Sequence, residues 1–388
     1  MKKAISSAKF ILLAVLIITN SIYFCGCWNY NEIEESLIVL GVAIDKNKSG
    51  DKYLLTFEVL DFEMSGKDAK QGTKFIESEG KTIFEAIRNT LNIVGKKLYW
   101  PHADIAIISE EIAKEGIIPA LDFMYRDSEV RTEMYILISR EKTAKEVLMQ
   151  GMLLSQASSD NIHNLLDTQD ISGKFPHVLV YKLINYMKTG NIMLPAIELK
   201  EILGKKTTVI SSTAIFENDK LIGYLNKDES QALLFVNDYI KGGLITFDMD
   251  TANKKEKISL EIFKSKTKVK PCYIDNKLTM DIDIKVDAAI GETATSVDYI
   301  NGENFELLKK TAEKEIKTSV ENLIQKVQLK FNADILYYNI FIKADMPKVW
   351  RSIEGDWKNN IFKNLKSNVK VYIKIRNSAF VMKSIELK

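Results

Sequence analysis

The sequence predicts an α+β fold with largely antiparallel or mixed sheets, set behind an export signal. Three observations carry this. Apolar strand-like runs alternate with helical stripes up to about residue 200, two long strand runs flank an Asp275-Asn276 turn, and one long amphipathic helix follows them. With 388 residues, 46% hydrophobic and 27% charged, the chain has ample apolar surface to offset chain entropy, and its length suits two or three domains. Its 54 basic and 52 acidic side chains leave a net charge of +2, which gives no overall nucleic-acid footprint. Three cysteines cannot build a disulfide framework, and three widely spaced histidines argue against a His-based metal cage.

The N-terminus says where the protein lives. Lys2, Lys3 and Lys9 precede an uncharged run from Phe10 to Phe24, the charged and apolar regions of an export signal. The run is short for a membrane helix, which needs roughly 20 apolar residues. It ends in Phe24-Cys25-Gly26-Cys27, and a small residue before a cysteine at this place resembles a bacterial lipobox. On that resemblance residues 1–26 are removed and Cys27 carries an S-diacylglycerol, its new amine open to N-acylation. Phe24 is too large for Cys25 to compete as the modified residue. Two acyl chains are about what stable anchoring requires. An uncleaved signal anchor is the alternative. Cys272, left without a partner, is expected as a small apolar packing residue.

The elements follow in order. Leu37 to Ile44 is nearly all apolar and suits a strand buried on both faces. Asp45 to Lys52 has a turn composition, and Tyr53, Leu55, Phe57 and Val59 mark one side of a second strand. Thr82 and Glu85 open a helix with the stripe Ile83, Ile87, Leu91 and Val94, stopped at Gly95. A short strand over Asp104–Ser109 leads to a helix over Glu110–Tyr125 broken at Gly116 and Pro119. Met134–Ser139 is a strand, and Thr143 with Glu146 forms a second capping box ahead of a helix to Gln150. Helical stretches over 161–166 and 178–187 complete this unit.

Gly204-Lys205-Lys206 is a basic junction and the first expected domain boundary. Strands over 209–216 and 220–224 flank a hairpin turn, and a short helix covers 228–236. The polar stretch Asp248–Lys257 is the second expected boundary. Two long strands, 258–269 and 278–290, then form a hairpin. Phe305, Leu308, Ala312, Ile316, Val320, Leu323, Val327 and Phe331 recur every three or four residues and predict a helix over Glu303–Phe331. A Trp-bearing helical segment, Pro347–Phe362, precedes a last strand, Val369–Arg376. That strand alternates Val369, Val371, Ile373 and Ile375 with Lys370, Tyr372, Lys374 and Arg376, either a solvated face or a basic strip for anionic head groups or an acidic partner.

Catalytic patterns are weak. Ser139-Arg-Glu-Lys142, Ser159-Asp160-Asn161 and Lys188-Thr189-Gly190 follow the chain order of penicillin-binding proteins. Yet Ser139 ends a strand instead of opening a helix, and Lys188-Thr189-Gly190 reads as a helix C-terminus. His102, His163 and His177 lack paired spacing, and the acid pairs Glu34-Glu35 and Glu110-Glu111 suit helix starts. No Gly-rich phosphate loop is present. Neither an enzyme nor a cofactor is expected.

Ordered motifs along the whole chain resemble the GerAC-type spore germination lipoproteins. They begin with Cys27-Trp28-Asn29-Tyr30 and Leu37 through Asp45-Lys46, and continue in His102, Ser109-Glu110-Glu111 to Gly116, Asp122-Phe123, and Arg126-Asp127 with Glu129-Val130-Arg131. They resume at Leu194-Pro195 to Ile197, Thr213 to Phe216 and Lys220 to Leu225. They end with Gln328, Asn332 to Ile335, Pro347 to Trp350, Trp357 and the final strand. Two segments depart from the pattern, Glu229 to Phe235 and Phe341 to Asp345. The resemblance implies three mixed α/β domains, drawn at 27–200, 207–250 and 251–388, without enzymatic activity. It implies a lipid-anchored subunit of a nutrient germinant receptor on the outer face of the spore inner membrane, with two polytopic receptor subunits as partners and no nucleic acid. The rival reading is a lipid-anchored solute-binding protein, which usually shows two βαβ-rich lobes around a ligand cleft.

Overall fold

The computed structural model describes residues 10–17, 19, 35–61, 72–150, 157–187, 190–251, 254–293 and 302–376. The apolar N-terminal run is helical over 10–17, and among the described residues no helix is long and apolar enough to cross a membrane. The other described elements build two sheets.

The first sheet grows outward from β1 (Ser36–Lys46). On one side β1 pairs antiparallel with β2 (Tyr53–Asp61), and β2 with β3 (Gly72–Gly80). Helix α1 (Ile83–Val94) then returns the chain to β4 (Lys97–Tyr99) and β5 (Ile105–Ile108), both parallel to β1. Helices α2 (Glu110–Glu115) and α3 (Ile118–Arg126) lead to β6 (Tyr135–Ser139), parallel to β5. Next come α4 (Ala144–Gln150), α5 (Ser158–Asp167), α6 (Gln169–Ser172) and α7 (Val180–Met187). The sheet ends with β7 (Asn191–Ile202), parallel to β6, and the antiparallel strands β8 (Lys205–Glu217) and β9 (Lys220–Leu225). One face packs on α1, α2, α3 and α7, the other on α4 and α5. This double cover is why β1 reads as a nearly continuous apolar run instead of an alternating one.

The expected break in the helix after Ser109 falls at Gly116 alone. Pro119 sits in the first turn of α3, where its missing N–H costs nothing. At the expected boundary Gly204-Lys205-Lys206 the chain turns in a hairpin, with Lys205 and Lys206 opening β8. Leu203 and Gly204 both take positive φ, the two-residue turn whose twist matches antiparallel strands, so β7 and β8 stay in one sheet.

Helix α8 (Lys227–Val236) carries the chain to the second sheet, β10 (Gly243–Thr251), β11 (Lys254–Ile274), β12 (Lys277–Thr293) and, after the helices, β13 (Lys366–Arg376). Of the polar stretch from Asp248 to Lys257, residues 248–251 belong to β10 and 254–257 to β11, paired antiparallel. Asp248 and Lys257 pair across the two strands at 3.0 Å and are both exposed, so the polarity of these two residues marks a solvated face. The long helix α9 (Glu303–Lys326) buries Leu308, Ala312, Ile316, Val320 and Leu323 against this sheet and α8, as its stripe predicts. Its last turn differs from expectation. Val327–Phe331 is a π turn, within which Gln328 donates to the carbonyls of Phe362 and Leu365. Helices α10 (Tyr338–Asp345) and α11 (Pro347–Ile353) follow, and the expected helix to Phe362 breaks at Ile353 around Gly355. Met193, Ile215 and Leu225 of the first sheet join the second core, so the halves share apolar contacts.

Candidate functional site

Cys27 and the rest of the lipobox lie outside the described residues, as do Lys188 and Thr189. The serines of the catalytic-looking patterns are described, and both hydroxyls are occupied. Ser139 is fully buried, its Oγ donating to the Thr143 carbonyl at 3.2 Å and accepting from the Glu141 N–H at 3.1 Å. Those bonds close the turn between β6 and α4. Ser159 Oγ donates to Glu58 at 2.6 Å. Lys142 is exposed.

Three buried carboxylates, none singled out from the sequence as a site, hold helix N-termini, Asp45 and Glu58 from about 100 residues away and Asp334 from just ahead of its helix. Asp45, at the end of β1, accepts from the Ala144 and Lys145 N–H groups at 2.7 and 2.9 Å. Thr143 takes the Glu146 N–H at 3.2 Å, the N-cap half of the expected capping box. Glu58, on β2, accepts from the Ser158 and Ser159 N–H groups at 2.8 and 2.7 Å, and from Thr73 Oγ1 at 2.9 Å. Asp334 accepts from the Tyr338 and Asn339 N–H groups at 3.0 and 2.8 Å and opens α10. A helix leaves its first N–H groups unpaired, and a carboxylate there meets both the donors and the dipole. Burial nevertheless dominates over those bonds, pushing Asp45 up to about 6 and Asp334 up to about 7. The sequence signal was a lone acid in an apolar setting, at the end of Leu37–Ile44 or between Phe57 and Val59.

Two of the histidines meet at Tyr135. Its hydroxyl donates to Asp167 at 2.7 Å and lies 2.7 Å from His177 Nε2, and the rings of His163 and His177 both stand edge-on to it. With the hydroxyl proton of Tyr135 directed at Asp167, its oxygen accepts from His177 Nε2–H. Burial holds His177 below its ordinary value and, with Asp167, holds the Tyr135 phenol well above its own. His102 is exposed beside Tyr99. A cavity of about 320 Å³ opens beside this cluster where the halves meet, lined by His177, Tyr186, Met193, Tyr239 and Lys241 among others. A more open groove of about 690 Å³ lies between α1 and α3, lined by Phe84, Arg88, Phe123 and Arg126 among others. Among the described residues no group of three His, Cys, Asp or Glu side chains is placed to hold a metal.

Comparison with known proteins settles the family. The profile "Spore germination protein N-terminal domain" matches residues 29–199, and "Spore germination B3/ GerAC like, C-terminal" matches 211–379. The chain belongs to the GerAC family of spore germination proteins. Spore germination protein B3 of Bacillus subtilis (strain 168) is 26% identical to this GerAC-type protein over 368 residues, covering 92% of the chain and 96% of the relative. Spore germination protein KC of the same organism is 22% identical over 394 residues, covering 95% of each. A solved structure, "Crystal Structure of the GerBC protein", superposes with a TM-score of 0.58 over 86% of this chain and 96% of that one, at 22% identity. The GerAC fold is thus shared, as the ordered motifs implied.

Proposed function

We propose that this GerAC-type protein acts in spore germination as a non-enzymatic subunit of a nutrient germinant receptor, lipid-anchored through Cys27. Its body docks to two polytopic receptor subunits at the outer face of the spore inner membrane. The observation that carries this reading is the ordered match of both GerAC domain profiles over 29–199 and 211–379. The lipobox ending in Gly26-Cys27 supports the anchor. The hydroxyls of Ser139 and Ser159 are engaged in turn and cap bonds, and the buried acids are engaged by helix N-termini, which fits a docking body better than a reaction centre.

Replacing Cys27 by Ala should move the protein from the membrane to the soluble fraction of spores and abolish fatty-acid labelling. Stable membrane attachment of the unlabelled variant would count against the anchor. A strain lacking the protein, tested on a panel of nutrients, should lose germination on at least one of them. Calorimetry against amino acids and sugars separates this reading from the solute-binding one, which requires micromolar binding.

A further inference from the structure

Beyond the reach of β10, both edges of the second sheet carry basic charge on the outer face. There β11 turns Lys264, Lys266, Lys268 and Lys270 outward while Thr267 and Val269 face the core. On the other edge β13 turns Lys366, Lys370, Lys374 and Arg376 outward and buries Val369, Val371, Ile373 and Ile375. Central β12 adds Lys277 and Lys285, together with Asp281, Asp283 and Asp287. The register sets these side chains in rows, Lys268-Asp283-Lys370 and Lys264-Asp287-Lys374 among them. Asp287 pairs with Arg376 at 2.7 Å, and Asp281 accepts from Asn368 at 2.8 Å. Beyond β10, ten basic side chains therefore share the face with three acids of β12 and with Asp238, which pairs with Lys266, a surplus of +6 in a chain whose net charge is +2. The β10 end of the face carries Asp248 and Glu261 beside Lys257.

We propose that this face lies against the anionic lipid head groups of a membrane. The membrane location comes from the functional reading above; the face and its chemistry are new. Clusters of four to eight Lys or Arg suffice to attract a protein to anionic lipid. Nine of these ten cations are lysines, point charges on flexible stems that meet a fluid phosphate surface diffusely. A folded acidic partner is gripped instead by arginine and aromatic anchors seated in pockets. The face offers lysines about 6.6 Å apart along β11 and about 13 Å apart along β13. At its rim the β11–β12 turn exposes Ile274 (65%) and Tyr273, and β13 exposes Tyr372, apolar and aromatic groups suited to the head-group level. Protection of edge strands from pairing explains charge but not its sign, because either sign blunts an edge. Here neither edge turns an acid outward over 264–274 or 366–376.

The test uses the mature chain from residue 28 onward, so that neither acylation nor the apolar run Phe10–Phe24 contributes. Its co-sedimentation with vesicles of phosphatidylcholine alone is compared with that on vesicles also containing phosphatidylglycerol. Binding should rise strongly with the anionic lipid and fall with added salt. Replacing Lys268, Lys270, Lys370 and Lys374 together by Gln should weaken the anionic component by at least about a hundredfold, given roughly fivefold per charge. Replacing the same four by Arg should preserve it, and replacing Lys48, Lys220, Lys227 and Lys348 by Gln should leave it nearly intact. Lys268→Gln and Lys370→Gln alone give graded losses should the fourfold variant fold poorly. Equal binding to both vesicles, or undiminished binding by the Gln variants, overturns the proposal; the first outcome leaves an acidic protein surface as the occupant. Failure of the Cys27 anchor is read separately, from fatty-acid labelling in spores.

Discussion

Asp45 and Asp334 accept helix N–H groups, yet their burial is deep enough to raise both above the ordinary 3.8. A carboxyl whose folded value is raised favours the fold when protonated. That contribution is complete below about pH 4 and is lost as the pH climbs past about 6 for Asp45 and about 7 for Asp334. For Asp45 the rise corresponds to about 3 kcal/mol. Urea unfolding followed from pH 5 to pH 8 should therefore show falling stability, and Asp45→Asn should flatten part of that slope while Asp334→Asn flattens its upper end. An unchanged slope in both variants would contradict the assignment. Gly41 poses a different constraint, because a Cβ there would lie 2.2 Å from Ser159 Oγ, the hydroxyl held by Glu58. Gly41→Ala should cost about 1–3 kcal/mol, and adding Ser159→Ala should cost less than the two changes summed, because the colliding atom is then gone.

At the scale of elements, α8 shows how one side chain joins two helices. Asn226 and Glu229 form a complete capping box, and Glu229 also pairs with Lys326 of α9 at 2.6 Å, both side chains about a quarter exposed. Asn226→Ala should cost about 1 kcal/mol in thermal or urea unfolding. The box was missed because the Asp228–Val236 stripe is short and buried nearly all round, leaving no polar face to frame it. Helices α1 and α9 and strand β13 were legible because each has one wet face, and periodicity records that contrast. Strands β3 and β7 were not. β3 is a polar edge, half-buried or exposed along most of its length, and β7 runs through Pro195, which donates nothing to the ladder. Likewise Cys272, expected to pack inward, is half-buried, since alternation places it with Lys270 and Ile274 on the outer side of β11. The capping acids were illegible for a further reason: Asp45 lies about 100 residues from its donors, and no local pattern reports a contact at that separation.

Across the whole molecule, the first sheet is assembled from residues 36–225, whereas the second takes its fourth strand from the far end of the chain. β13 lies parallel to β12 and supplies four apolar side chains to a core shared with α8 and α9, and Glu313 of α9 accepts from the Ile373 N–H at 3.0 Å. A chain ending at Leu365 should leave that core open, and limited proteolysis should then cut within α9 while sparing the segment 36–225. Synthesis proceeds from the N-terminus, so the first half can finish while the second waits for Lys366–Arg376. Until the ribosome lets go, an oily slot stands vacant beside Ile282, Ile284 and Val286. Chaperone dependence and premature-stop damage in this protein should accordingly concentrate near its tail.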